Sequence, residues 1–107
     1  MSYKKGIKKI SHILDQLIVL LRSVDENEWS YYLKCFRNNC EFVENKQDAK
    51  KICREILHIY SGMGSFNDLG LSHFNEEGAF VKHEREDEFD KLHTKLFEIS
   101  LEQLDKN

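Results

Sequence analysis

The chain has 107 residues, 40% of them apolar, and a formal charge of −3 from 16 Lys plus Arg against 19 Asp plus Glu. That length suits one domain spanning 1–107 and needs neither a disulfide framework nor a structural metal to fold. The acidity excludes a nucleic-acid binder that relies on a general basic surface. Three Cys at irregular spacing fit a reducing, cytoplasmic setting better than a disulfide network. No run of about 18 apolar residues occurs, so no membrane span is expected. Asp15 and Gln16 interrupt the apolar stretch behind Lys4, Lys5, Lys8 and Lys9, which argues against a secretory leader.

Pro is absent, which favours long helices, and the predicted fold class is all-α, a compact four-helix bundle. Ile7, Ile10, Leu14, Leu17, Leu21 and Val24 alternate spacings of three and four, with Ile13 and Leu20 widening the stripe. This predicts a first helix with one buried face. Asp25 is placed to cap a second helix, with Glu28 three residues on as its capping-box partner. Trp29, Leu33, Phe36, Cys40 and Val43 carry that helix to about Asn45. Trp29, Tyr32, Leu33 and Phe36 are predicted to face inward and Tyr31 outward.

A third helix is expected over about 47–61 on Ala49, Ile52, Ile56 and Ile59, with Gly62 at the position of a left-handed cap. Four of the five glycines fall at 62, 64, 70 and 78, so 62–83 reads as one long irregular loop. Phe74, Phe80 and Val81 allow a short hairpin within it. Phe89, Leu92, Leu96 and Ile99 predict a fourth helix from Glu84 to about Leu104.

The run Gly62-Met63-Gly64-Ser65-Phe66-Asn67-Asp68-Leu69 is the most distinctive in the chain. It lacks the P-loop lysine and a preceding strand, so it reads as a helix-terminating turn built on Gly62, Gly64, Asn67 and Asp68, not a phosphate cradle. Together with Trp29 near an acidic helix start, this run resembles a family of small, uncharacterised, all-helical bacterial proteins. Its members carry a Trp in the second helix and a Gly-Gly-Met-Gly-Ser-x-Asn-Asp-Leu run; here Ser61 replaces the first Gly. The resemblance implies a fold and no activity. More loosely, the size, acidity and lack of a catalytic signature resemble the immunity proteins that neutralise bacterial polymorphic toxins.

Charge is unevenly divided, with a net +4 over 1–24 and a net −4 over 84–107. The basic first helix, with Lys4, Lys5, Lys8, Lys9 and Arg22, is expected to pair with the acidic last one. Glu84, Glu86, Asp87, Glu88 and Asp90, joined by Glu76 and Glu77 from the loop and by Tyr31, form the candidate partner-binding set. The expected function is a non-enzymatic inhibitor that blocks a basic toxin, with a nuclease as the foremost class, and without membrane or direct nucleic-acid contact. A small metal-dependent hydrolase using His73, His83 and Asp68, or a homodimeric helical scaffold, is the alternative. No cofactor or metal is expected. His12, His58, His73, His83 and His93 contain no i,i+4 pair, and Cys35, Cys40 and Cys53 lack zinc-site spacing.

Overall fold

The computed structural model describes residues 2–61 and 64–105. Four helices, α1 (Ser2–Ser23), α2 (Asn27–Cys40), α3 (Lys46–His58) and α4 (Glu86–Asp105), form an all-α bundle. A 3-10 turn at Phe66–Asp68 and a two-stranded hairpin, β1 (His73–Phe74) with β2 (Phe80–Val81), occupy the long connection between α3 and α4. The predicted irregular loop is therefore partly ordered as the hairpin.

The helices run up and down. Ser30, early in α2, bonds the carbonyl of Ile18 late in α1 at 3.4 Å. The hydroxyl of Tyr3 reaches the carbonyl of Glu44 beyond the far end of α2 at 3.1 Å. Gln103, late in α4, lies against Gly6, early in α1, where any Cβ would meet its side chain. The C-terminal ends of α1 and α3 and the starts of α2 and α4 thus gather at one end of a particle 53 Å by 22 Å by 20 Å. The core is supplied mainly by α1 through Ile10, Leu14, Leu17, Leu20 and Leu21, all fully buried, with Leu33, Ile56, Phe89 and Leu96 from the other helices.

Asp25 does not cap α2. It takes a left-handed backbone, φ 62°, while the amide of Glu26 bonds Leu21 O at 2.8 Å and that of Asp25 bonds Arg22 O at 3.2 Å. This paired closure terminates α1, with Asp25 in the position that glycine usually fills. Glu26 becomes the N-cap of α2 and makes no side-chain cap. Helix α2 stops at Cys40, short of Asn45, because Asn45 is the N-cap of α3. That role requires extended backbone there, and its side chain accepts from the amide of Asp48 at 2.9 Å. Tyr32, predicted to face inward, is about half exposed.

Lys5, Lys8 and Lys9 border a groove with Asp15 of α1 and Arg37 of α2. Arg37 itself bonds Asp15 at 2.9 Å.

Candidate functional site

The end of the bundle where α3 hands over to α4 brings the glycine-rich turn against Trp29 of α2 and His93 of α4. Its centre is Phe66, fully buried. The backbones of α2 and α4 stay apart, with no Cα pair within 8 Å among the described residues, and Phe66 packs between them. Its ring centroid lies 4.9 Å from Trp29 of α2, 5.3 Å from Tyr60 and 5.8 Å from Phe89 of α4.

The polar residues of the turn hold Phe66 in place. The amide of Gly64, at φ 75°, donates to Asp68 Oδ2 at 2.7 Å, and Asn67 Nδ2 donates to the carbonyl of Tyr60 at 2.6 Å. The amide of Phe66 itself returns to Ile59 O at 2.8 Å. Asn67 thus satisfies a carbonyl just beyond α3, while Gly64 and Asp68 close the turn on itself; Gly62 lies outside the described residues.

Sequence reasoning saw in His93 only a histidine without metal-site spacing. Its ring lies 4.6 Å from Phe66 and 4.8 Å from Tyr60, and its Nε2 bonds Phe66 O at 3.1 Å. The Tyr60 hydroxyl donates to the carbonyl of His93 at 2.7 Å. Burial holds the imidazole pKa below its usual 6.5 and pushes the Tyr60 phenol up. The signal available was the spacing Phe89, His93, Leu96, which puts the imidazole on the line of the core.

The hairpin pairs His73 with Val81 and Phe74 with Phe80. Its turn is ordered by Asn75, whose Oδ1 accepts from the amides of Glu77 and Ala79, both at 3.0 Å, with Gly78 at φ 82°. At its base Leu71 is buried. The Leu71 amide and the Ser72 hydroxyl donate to Glu86 Oε2 at 2.8 and 3.2 Å, while the amide of His83 donates to Ser72 Oγ at 3.1 Å. The hairpin is therefore fixed to the start of α4. Yet Phe74 is 71% exposed and Phe80 62%, their rings 5.5 Å apart in an edge-to-face pair.

The seven acids of the candidate set divide. Glu86 is part-buried and holds the hairpin, so it is an anchor and not a steering charge. Asp87 pairs with Lys82 at 2.9 Å and Glu88 with Arg85 at 2.7 Å. Glu76, Glu77, Glu84 and Asp90 are exposed. Tyr31 is 71% exposed and stands on α2, whose backbone has no Cα within 8 Å of α4 among the described residues. Arg85 also contacts the hydroxyl of Ser23, tying the acidic segment to the end of α1.

A second feature of this end is a cleft of about 550 Å³ lined by Glu28, Trp29 and Tyr32 of α2 and by His58, Ser61 and Ser65 across from them. The residues of the hydrolase alternative do not assemble. His83 Nδ1 accepts from the amide of Arg85 at 3.0 Å, Asp68 holds Gly64, and His73 is exposed on β1. Among the described residues, no group of three or more His, Cys, Asp or Glu is placed to hold a metal. Cys53 and Cys40 are buried, and burial pushes the Cys53 thiol up to about 11 and raises that of Cys40, which suppresses the nucleophilic thiolate. Among the described residues, no helix is long and apolar enough to cross a membrane.

A family model described as a domain of unknown function, DUF6966, matches residues 22–78, just over half of the chain, and the chain belongs to that family. The matched span contains Trp29, the turn that carries Phe66, and β1 of the hairpin. No curated protein and no solved structure matches the chain.

Proposed function

We propose that this DUF6966 member is a non-enzymatic protein-binding module that docks a basic protein through the hairpin and the acidic start of α4. The observation that carries the reading is the Phe74–Phe80 pair. Two large aromatic rings are held in water on a hairpin that internal hydrogen bonds fix in place. Exposed apolar patches of this kind mark interaction surfaces, and aromatic anchors supply most of the binding energy at protein interfaces. Glu76 and Glu77 in the hairpin turn, and Glu84 and Asp90 on either side of the start of α4, are all exposed, a negative charge that selects a basic partner and speeds its approach.

In its specific form the proposal is an immunity-type inhibitor that covers the cleft of a basic toxin, a nuclease above all, with carboxylates standing where substrate phosphates would bind. Expression of candidate toxins with and without this protein, followed by measurement of association at low and high salt, tests it. The expected result is rescue of the toxin-expressing cell and association that slows as salt rises. Replacement of Glu76, Glu77, Glu84 and Asp90 by their amides should slow association at low salt while leaving dissociation nearly unchanged. Association that is indifferent to salt and to these four substitutions removes these acids from the model.

A further inference from the structure

The geometry points to a second site: we propose that the cleft between the start of α2 and the turn after α3 binds an organic cation, a guanidinium or alkylammonium group. This does not rest on the hairpin reading. At about 550 Å³ the cleft is large enough for a small ligand or a long side chain. Its α2 wall is aromatic: the rings of Trp29 and Tyr32 lie 5.6 Å apart, tilted by 53°. Trp29 also packs against buried Phe66 at 4.9 Å, a contact that holds its ring in place. Aromatic faces attract cations that come within about 6 Å of the ring.

Two further features have the same sign. Glu28 brings an exposed carboxylate to the rim, and no described cation is paired with it. The opposite wall, with His58, Ile59 and Ser61, is the C-terminal end of α3, the negative end of its helix dipole. The start of α2 would by itself favour an anion, but Glu28 already stands in that first turn. Among the described lining residues only His58 can carry positive charge.

Trp29 is the chain's single tryptophan, so its emission reports the site directly. The full chain is titrated with tetramethylammonium chloride and, separately, with N-acetyl-arginine methylamide, against sodium chloride and the neutral isostere tert-butanol. The expected result is a saturable change in Trp29 emission with at least one of the two cations, weakened about tenfold in Glu28→Gln and weakened again in Tyr32→Leu. Both positions are exposed, and circular dichroism confirms that each variant is folded. Saturation by tetramethylammonium assigns the site to alkylated ammonium groups. Saturation by the arginine derivative alone assigns it to a guanidinium side chain presented by a polypeptide. Non-saturating responses to both cations, an equal response to tert-butanol, or unchanged affinity in Glu28→Gln would overturn the proposal.

Discussion

Trp29 and Phe66 stack with ring centroids 4.9 Å apart and planes inclined by 33°, although one opens α2 and the other sits in the turn beyond α3. The two parts of the sequence that stand out most, a tryptophan in an acidic helix start and a glycine-rich run, are therefore one packing unit. Phe66 is the piece that α2 and α4 share, because its ring meets Trp29 of the one and Phe89 of the other.

Removal of that ring should be costly. Phe66→Ala leaves a cavity bounded by Trp29, Tyr60, Phe89 and His93, and the expected loss is about 3–5 kcal/mol, the usual range for a buried phenylalanine. Urea unfolding followed by Trp29 emission measures it. A loss under about 1 kcal/mol would mean that the bundle end closes without this ring.

His93 makes stability depend on pH. Its folded-state pKa lies below the ordinary 6.5 because burial disfavours the imidazolium, so the unfolded chain binds the proton more readily. The contribution is fully present above 6.5 and is lost as pH falls through the depressed folded value. Between about pH 7.5 and 5.5 the wild type should therefore lose more stability than His93→Gln, which has no proton to take up. Equal losses in paired urea titrations would assign the pH dependence to other groups.

The helical architecture was legible because the apolar spacing of α1, α3 and α4 is regular and Pro is absent. Burial of Ile10, Leu14, Leu17 and Leu21 follows the stripe directly. Asp25 misled because its side chain is a good cap, whereas the short link from α1 to α2 demands a left-handed residue at that place, and backbone geometry of that kind leaves little trace in composition. The division of the acids was also hidden. Glu86 and Glu84 look alike in a charged run, and only the fold brings Leu71 and Ser72 to one of them. The hairpin had a local signal: Asn75 and Gly78 flank a two-residue turn between Phe74 and Phe80. Their exposure could not be read from it, because it depends on what the other elements leave uncovered.

Glu86 should behave unlike its acidic neighbours. Glu86→Ala leaves the part-buried amide of Leu71 and hydroxyl of Ser72 without their acceptor, a loss of about 1–3 kcal/mol. Amide exchange over 71–83 should quicken, while Glu84→Ala, at an exposed position, leaves both stability and exchange unchanged. Identical exchange profiles for the two variants would deny Glu86 its anchoring role.

Asp25 holds a left-handed backbone at φ 62°, which costs a side chain free energy that glycine avoids. Asp25→Val, β-branched at this position, should destabilise by about 1–2 kcal/mol, and Asp25→Gly should be neutral or stabilising by up to about 1 kcal/mol. Thermal unfolding of the two variants checks the order. A valine variant as stable as wild type would show that the turn can adopt another conformation.

The hairpin aromatics should matter little for folding. Phe74 and Phe80 are exposed, and the ring contact found for each is with the other, 5.5 Å away. A cross-strand aromatic pair is worth about 0.2–1 kcal/mol, and the hairpin keeps its hold through Glu86, Ser72 and buried Leu71. The double variant Phe74→Ser, Phe80→Ser should therefore unfold within about 1 kcal/mol of wild type. It should also bind less of an apolar dye such as anilinonaphthalene sulfonate in the folded state and lose affinity for a protein partner. A large drop in stability would instead make the rings structural, and the docking surface would lose the aromatic pair on which it was built.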